Sequence, residues 1–158
     1  GKAIRFHESE VRSMGRTARG VRGMALPSGE SVISMLIARD EGDVLTATAL
    51  GYGKRSEVSA FRKTARASQG VKAMRTTDKT GSMIAAVYVK SNQDILLMTN
   101  KGVMVRTPAE KISKLGRSTQ GVRLIKVSKE ERLITLQKVH ETDDVDVPET
   151  EDSDGVGS

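Results

Sequence analysis

The sequence contains no cysteine and no tryptophan, and its aromatic residues are limited to two phenylalanines and two tyrosines. The missing thiols exclude disulfides and thiolate metal sites and are compatible with a reducing, cytoplasmic location. No apolar run approaches the ~18 residues of a transmembrane helix, so we expect no membrane partner. No signal-peptide pattern is present. Because the chain begins at Gly1 rather than at methionine, we expect it to be a piece of a longer protein.

Charge is distributed very unevenly along the 158 residues. Residues 1–140 hold all 26 lysines and arginines against 12 acidic residues, a net charge of +14. Residues 141–158 hold eight acidic residues and no basic one, and their low hydrophobicity predicts a disordered tail. A basic body followed by an acidic tail indicates a nucleic-acid ligand. Proteins that grip single strands stack bases on aromatic side chains, which are scarce here, so a duplex is the favoured ligand.

An internal repeat organises the basic part of the chain. Three segments, Gly20-Val21-Arg22, Gly70-Val71-Lys72 and Gly121-Val122-Arg123, are spaced by 50 and 51 residues. The columns before them align without a gap, beginning at Gly1, Gly51 and Gly102 and including Arg5, Arg55 and Arg106, then Val11, Phe61 and Ile112, then Arg16, Arg66 and Arg117. We therefore divide one domain, residues 1–140, into repeats at about 1–50, 51–101 and 102–140, followed by the tail at 141–158.

Each repeat has the pattern of four short β-strands. In the first repeat we expect strands near residues 2–6, 20–26, 31–38 and 43–48, separated by turn residues such as Pro27-Ser28-Gly29 and Glu41-Gly42. Four strands in about 50 residues is typical of a propeller blade. Since closed propellers use roughly 4–8 blades, three repeats predict an all-β portion of a larger wheel.

The loop between the first and second strands of each repeat is rich in basic residues. Equivalent loops of blades around an axis lie on one rim, where evenly spaced cations can follow the phosphates of a curved duplex. The basic residues of these loops and of the segments that follow are Arg12, Arg16, Arg19, Arg22, Arg62, Lys63, Arg66, Lys72, Lys111, Lys114, Arg117 and Arg123. Phosphate contacts do not read sequence, so we expect binding without sequence preference.

No constellation of residues indicates catalysis. Gly53-Lys54 is superficially similar to a phosphate loop, but the next residue is Arg55 rather than Ser or Thr, and Thr48 stands where that motif has Gly. The two histidines, His7 and His140, stand alone and lack metal-ligand spacing. We therefore expect neither a catalytic residue nor a metal or cofactor site in this part of the protein.

Four segments resemble the later blades of the family of C-terminal domains found in the DNA gyrase A protein. They are Gly20-Val21-Arg22-Gly23, Asp43-Val44-Leu45-Thr46-Ala47-Thr48, Leu50-Gly51-Tyr52-Gly53-Lys54-Arg55 and Gly116-Arg117-Ser118-Thr119-Gln120-Gly121-Val122. The resemblance covers residues 1–140, and an acidic tail is also typical of that family. The family's glutamine–arginine–arginine–glycine–glycine–lysine–glycine box, which belongs to its first blade, does not occur in this sequence.

The resemblance implies a β-pinwheel, a propeller-like wheel whose blades exchange strands, with duplex DNA wrapped around its basic perimeter. It adds Arg5, Lys54, Arg55 and Arg106 to the candidate DNA-binding residues. It also implies that the parent is an ATP-dependent type II topoisomerase that introduces negative supercoils in the bacterial cytoplasm, associated with the nucleoid. In that enzyme, two copies each of the gyrase A and gyrase B proteins form a heterotetramer. ATP and Mg²⁺ are used by other domains, and the catalytic tyrosine is neither Tyr52 nor Tyr88.

Two other functions fit the pattern. The C-terminal domain of the topoisomerase IV A protein shares the blade plan, although the tail and the Tyr52-Gly53-Lys54-Arg55 run favour gyrase. A protein-binding propeller scaffold could present the same basic rim to an acidic partner. For the tail we hypothesise competition with DNA for the basic rim.

Overall fold

The computed structural model describes residues 1–139, so His140 and the acidic tail lie outside the described residues. Within residues 1–139 there are nine strands, three short 3-10 turns and no α-helix, which confirms the all-β class. The strands are β1 Lys2–Ala3, β2 Asp43–Thr48, β3 Tyr52–Glu57, β4 Val71–Lys72, β5 Met83–Val89, β6 Asp94–Thr99, β7 Met104–Pro108, β8 Val122–Arg123 and β9 Leu133–Lys138. The 3-10 turns are Glu8–Glu10, Val58–Ala60 and Ala109–Lys111.

Each sheet combines strands from successive repeats. A four-stranded sheet has the order β5-β2-β3-β8, a three-stranded sheet has the order β7-β6-β9, and β1 pairs with β4. All of these pairings are antiparallel. In the four-stranded sheet β2 closes the first repeat, β3 and β5 belong to the second, and β8 belongs to the third. The strand exchange between repeats that the resemblance implies is therefore present.

The central strand β2 has two buried faces. All six positions from Asp43 to Thr48 are buried, and β3 and β5 pair with its two edges. Leu45 contributes to one core cluster with Val89, Ile95 and Leu97. Val44, which points to the other face, contributes to a second cluster with Val58, Phe61 and Ala73. The sheet is therefore packed on both sides between neighbouring elements.

The first repeat departs from the prediction of four strands. Residues 20–26 and 31–38 form no strand, and Val32, Met35 and Ile37 are exposed there. The equivalent strands of later repeats pair one repeat back, β4 with β1 and β5 with β2. Among residues 1–139 no earlier hairpin exists for residues 20–38 to pair with. A pleated conformation needs such a partner because isolated strands leave their backbone groups without hydrogen bonds.

Candidate nucleic-acid interface

Three equivalent loops follow the first strand of each repeat, β1, β3 and β7: loop 1 at residues 7–19, loop 2 at residues 58–70 and loop 3 at residues 109–121. Each contains one 3-10 turn near its start. Phe61 anchors loop 2 in the core, and Ile112 anchors loop 3 at the equivalent position. These buried apolar residues explain why an otherwise polar, glycine-containing segment has a defined path.

Loops 2 and 3 are each attached to the repeat before them, and we call these attachments the first joint and the second joint. In the first joint Lys63 forms a parallel bridge to Arg5, and in the second Lys114 forms the same bridge to Arg55. In both joints the amide of the next loop residue donates to the carbonyl of that arginine at 2.8 Å. The same backbone contacts therefore place successive loops in the same way.

Ten of the fifteen candidate DNA-binding residues have exposed side chains. They are Arg12, Arg16, Arg19, Arg22, Arg62, Lys63, Lys72, Arg106, Lys114 and Arg123. Lys63 lies 3.7 Å from Asp40, and Lys114 lies 3.0 Å from Asp43, so part of their charge is already balanced. The accessible position of these ten residues permits phosphate contact, which stays a prediction.

Arg66 makes structural hydrogen bonds that its recurrence in the sequence does not reveal. Its side chain is half-buried, and its guanidinium crosses the first joint. Nε donates to the carbonyl of Glu10 at 2.8 Å, and Nη1 donates to the carbonyl of Arg22 at 2.7 Å. A guanidinium with its donors in a fixed fork is suited to such a two-point contact.

Arg117 makes the same contact across the second joint. Its Nε donates to the carbonyl of Ala60 at 3.1 Å, and its Nη1 donates to the carbonyl of Lys72 at 2.6 Å. Both acceptors occupy the columns of the acceptors in the first joint. We name this pair of hydrogen bonds the arginine clasp, and it means that reversing charge at Arg66 and Arg117 would loosen the joints as well as change the surface charge.

The aligned arginines Arg5, Arg55 and Arg106 also make contacts within the fold. Arg5 donates to the carbonyls of Val58 and Phe61 at 3.1 and 3.2 Å and pairs with Asp40. It is only partly exposed, and two of these three acceptors lie in loop 2. Arg106 has no such loop above it within residues 1–139 and pairs with Asp94 at 2.6 Å on the surface.

Arg55 is buried, with 8% of its surface exposed, which is a correction to its prediction as a perimeter residue. Its Nε donates to the carbonyl of Ile112 at 2.8 Å, and its Nη1 donates to Asp43 at 3.0 Å. Loop 3 covers this ion pair, and a covered guanidinium with its donors occupied cannot meet a phosphate in this conformation. Among residues 1–139 no later loop covers the equivalent pair of Arg106 and Asp94, which is more exposed.

Lys54 is the second correction, because its side chain is fully buried. Its Nζ, which has three N–H donors, lies within hydrogen-bonding distance of four acceptors: the hydroxyl of Ser56 at 3.0 Å and the carbonyls of Ala73, Gly116 and Arg117 at 3.0, 2.9 and 2.7 Å. No carboxylate within residues 1–139 forms an ion pair with it. Burial, with a smaller effect of the Arg117 guanidinium, lowers the pKa of Lys54 to about 8.

The recurring glycines allow the joints to pack closely. Gly70 and Gly121 have positive φ angles of 70° and 80°. A Cβ at Gly121 would lie 2.5 Å from the carbonyl oxygen of Gly53, and one at Gly70 would collide with the carbonyl oxygen of Ala3. Gly20, with a φ of 80°, has nothing within 4 Å of the same point. These glycines therefore serve backbone conformation and, in two cases, contact between repeats.

A second basic surface lies around Tyr52 at the start of β3. Most of its residues are not among the DNA-binding residues predicted from the sequence. An open groove of about 460 Å³ is lined by Leu50, Tyr52, Lys79, Arg123, Lys126, Val127, Ser128, Lys129 and Arg132. Arg123 donates to the Tyr52 hydroxyl at 2.9 Å and lies 5.3 Å from the ring centroid. Only Arg123 is a predicted DNA-binding residue, because the other cations lie in turns outside the recurring loops. The sequence signal for this groove is weak, because Glu130 and Glu131 lie among the basic residues Lys126, Lys129 and Arg132.

One acidic side chain near this groove is turned away from it. Glu131 accepts a 2.6 Å hydrogen bond from the Thr99 hydroxyl and a 3.1 Å bond from the amide of Ser128. These hydrogen bonds, the one from Thr99 first, lower the pKa of Glu131. No carboxylate lines the groove among residues 1–139, so its charge is positive.

Metal-binding and membrane-spanning features are both absent from residues 1–139. No group of three or more histidine, cysteine or acidic side chains is placed to hold a metal ion there. None of the helical segments in this range has the length and apolar character to cross a membrane.

Comparison with known proteins gives one consistent family. The family model of the DNA gyrase C-terminal domain, a beta-propeller, matches residues 1–39, 42–90 and 93–140. The DNA gyrase A protein of Pseudomonas aeruginosa is 48% identical over 156 residues, which are 97% of this chain and 17% of that protein. The chain thus spans about a sixth of the length of this curated relative.

Solved structures show the same fold. A DNA gyrase A C-terminal domain superimposes with a TM-score of 0.81 at 28% identity, covering 87% of this chain and 47% of that one. The C-terminal domain of a DNA topoisomerase IV superimposes with a TM-score of 0.82 at 29% identity, covering 88% and 44%. The propeller-like architecture predicted from the repeats is confirmed, and the resemblance seen in the sequence is confirmed with it.

Proposed function

Because the chain belongs to the family of DNA gyrase C-terminal domains with the beta-propeller fold, we propose that it binds duplex DNA without sequence preference and wraps it along loops 1 to 3. The observation that carries this proposal is the repetition of the joint. The same bridge and the same arginine clasp attach loops 2 and 3, each of which presents exposed cations, to the repeat before them in the same way. A row of cations with fixed spacing can neutralise phosphates along a curved duplex.

The energetics of such binding are dominated by counterion release. If roughly seven cations meet phosphates, the slope of log K against log salt concentration is about −6, at ~0.9 per phosphate. Bending 20–30 base pairs costs on the order of 1–6 kcal/mol, which repeated phosphate contacts offset. The groove around Tyr52 offers further cations at the start of β3, roughly 17 Å along the strand from the start of loop 2 at ~3.3 Å per residue.

The test removes loop charge without touching the joints. Arg12, Arg16 and Arg62 are exposed, and within residues 1–139 their side chains make no hydrogen bond or ion pair. Replacing all three by Gln should make the salt slope shallower by about 2.7 and weaken binding to random duplex. The matched control replaces Arg39, Lys90 and Lys101, which are exposed outside the loops and the groove, by Gln. If both triple variants weaken duplex binding equally, the loops are not the binding surface.

The role in a whole enzyme follows from the same membership. We propose that the chain is part of a DNA gyrase A protein and that its DNA wrap supports ATP-dependent negative supercoiling by a heterotetramer with two copies each of gyrase A and gyrase B. In this proposal the chain itself cleaves nothing, ATP and Mg²⁺ are bound by other domains, and the enzyme acts on the bacterial nucleoid in the cytoplasm. A supercoiling assay of the intact enzyme carrying the Arg12, Arg16 and Arg62 triple variant tests this, with loss of supercoiling but retained DNA cleavage as the expected result.

Topoisomerase IV is the alternative within the same fold, and the 48% identity to a gyrase A protein favours gyrase. A protein-binding scaffold is the alternative outside it. Binding to random duplex that weakens with salt supports the DNA-binding proposal. Binding to an acidic protein, with no duplex binding, would support the scaffold.

For the acidic tail, outside the described residues, we propose competition with DNA for the loop cations. Its eight acidic residues and lack of basic ones support this. Truncation after His140 should then raise duplex affinity. An unchanged affinity would rule out the competition.

A further inference from the structure

The two joints differ at two consecutive loop amides. In the first joint the amide of Arg66 donates to the carboxylate of Glu10 at 3.0 Å. The amide of Ala67 donates to the carbonyl of Gly23 at 2.8 Å. Both donors of loop 2 therefore have partners inside the protein, and one of those partners is an anion.

The equivalent amides of loop 3 have no such partners. Arg117 and Ser118 occupy the columns of Arg66 and Ala67, and neither amide has a hydrogen-bond acceptor among residues 1–139. The column of Glu10 holds Ala60, which has no carboxylate. An unpaired backbone donor at the surface is satisfied by water or by a ligand.

Lys54 explains why the second of these amides, that of Ser118, has no acceptor within residues 1–139. The carbonyl of Ala73 stands in the column of Gly23, and it accepts a 3.0 Å hydrogen bond from Lys54 Nζ rather than one from Ser118. In the first joint the column of Lys54 holds Ile4, which cannot compete for that carbonyl. The exchange of an isoleucine for a lysine thus takes away the internal acceptor of the loop amide.

Lys54 and Ser56 also fix the orientation of the loop 3 peptides. The hydroxyl of Ser56 donates to the carbonyl of Leu115 at 2.9 Å, while Lys54 donates to the carbonyls of Gly116 and Arg117. Three consecutive carbonyls therefore point to the interior. In a trans peptide the amide of the next residue points the opposite way, so the amides of Gly116, Arg117 and Ser118 point away from Lys54.

We propose that the amides of Arg117 and Ser118 form an anion subsite that takes a backbone phosphate of duplex DNA, with Lys54 as the residue that positions it. Consecutive outward amides are a recurrent anion-binding arrangement in proteins. The Glu10 carboxylate on the Arg66 amide is an internal example of an anion at the equivalent point. The identity of the ligand rests on the DNA-binding function proposed above, whereas the subsite itself rests on the geometry of the joints.

The experiment follows the backbone amides of the 158-residue chain by NMR during titration with inorganic phosphate and, separately, with a random duplex. In the unmodified chain the Arg117 and Ser118 signals should shift with both ligands, while the Arg66 signal should not. Ala60→Glu recreates the carboxylate of the first joint, so it should abolish the shift at Arg117 and weaken duplex binding by about tenfold, the effect of one charge-assisted hydrogen bond. Ser59→Glu adds the same charge at the neighbouring exposed residue and should keep the shift.

Two further variants test the exchange between joints. Glu10→Ala should open the equivalent amide and make Arg66 respond to phosphate. Lys54→Met should free the Ala73 carbonyl for Ser118 and remove the response of that amide. If Lys54→Met unfolds the chain, the Glu10 and Ala60 variants still test the proposal.

The outcomes separate the two proposals. Duplex binding with shifts at loop cations but none at Arg117 and Ser118 would overturn the subsite and leave the DNA-binding function standing. Shifts with phosphate but not with duplex would mean an adventitious ion only and would overturn it as well. Absence of duplex binding would overturn the proposed function, and with it the identity of the ligand.

Discussion

The first and second joints share their backbone bridge and arginine clasp but differ in the residues beneath the loop. Both use the bridge between an arginine and a loop lysine and both use the arginine clasp. In the first joint the segment after β1 contributes Ile4 and Phe6, whereas in the second joint β3 contributes Lys54 and Ser56 at the same columns. One joint has apolar residues at the two positions where the other has a buried ammonium and a hydroxyl.

This difference shows which part of a repeat is constrained by the fold. Backbone bridges, clasps and close-packed glycines recur because every loop must be attached to the repeat before it. The residues directly beneath the loop are free to vary, and they decide which loop amides and carbonyls face outward. A repeat protein can therefore keep one architecture while its surface chemistry differs from blade to blade.

The largest effect is expected from the column of Arg55 and Arg106. Arg55→Met leaves the buried Asp43 carboxylate without its buried partner and should lower the free energy of unfolding by about 3–5 kcal/mol. Arg106→Met removes an exposed ion pair and should cost less than about 1 kcal/mol. Chemical denaturation of both variants measures the difference. Equal losses would mean that cover by the next loop does not distinguish the two pairs.

The pH effect of a buried lysine should belong to the second joint alone, because the first joint has Ile4 in that column. Since the pKa of Lys54 is lowered to about 8 in the folded chain, the unfolded chain binds more protons between about pH 8 and its usual pKa. The free energy of unfolding should therefore rise with pH across that window, by up to about 3 kcal/mol, at 1.36 kcal/mol per pKa unit. Denaturation curves of the unmodified chain and of Lys54→Met, measured from about pH 7 to 10.5, should differ in slope. Parallel curves would contradict the prediction.

The glycines at the joints provide a comparison of steric effects. Gly121→Ala and Gly70→Ala combine a positive φ with a collision against a main-chain carbonyl, and each should destabilise the chain by about 2–4 kcal/mol. Gly20→Ala has the same φ but open space around the new methyl, so about 1 kcal/mol is expected. Thermal unfolding of the three variants tests the order. If Gly20→Ala lost as much stability as Gly121→Ala, the positive φ rather than the collision would be the cause of the destabilisation.

The smallest loss of stability is expected for the two clasp arginines, and it should be about the same in both joints. Arg66→Gln and Arg117→Gln each weaken one clasp, and each should cost about 1 kcal/mol as backbone carbonyls lose a donor but remain near water. If the clasp is the shared frame, the two losses agree to within about 0.5 kcal/mol. A much larger loss at Arg117 would show that the clasp depends on Lys54.

The repeat spacing is enough to predict the fold class and the position of the loops, because those follow from periodic residues. It cannot distinguish a cation on the rim from a cation beneath it. Lys54 and Arg55 lie in one of the runs that carry the resemblance, and only the pairing of loop 3 with β3 shows that both are covered. Recurrence of Arg66 and Arg117 indicates repeated phosphate contact at first sight, yet the structure gives them a repeated structural contact.

The strands predicted in residues 20–38 show a different limit. Their sequence has β propensity, but a strand also needs an edge to pair with, and pairing is a property of distant segments. The groove around Tyr52 is hidden from the sequence for a related reason. Its cations come from Lys79 and from residues 123–132, and the second group meets Tyr52 because β8 pairs with β3.

The exchange of strands between repeats has a consequence for how such a wheel can change in evolution. A unit cut at the repeat boundary would leave β2 without β3 and β3 without β8, so insertion or loss of one blade is not a matter of adding or removing a closed module. Duplication succeeds only when the neighbours on both sides carry the matching edges. Point substitution beneath the loops, as at Ile4 and Lys54, avoids that difficulty and is the easier way for blades of one wheel to diverge.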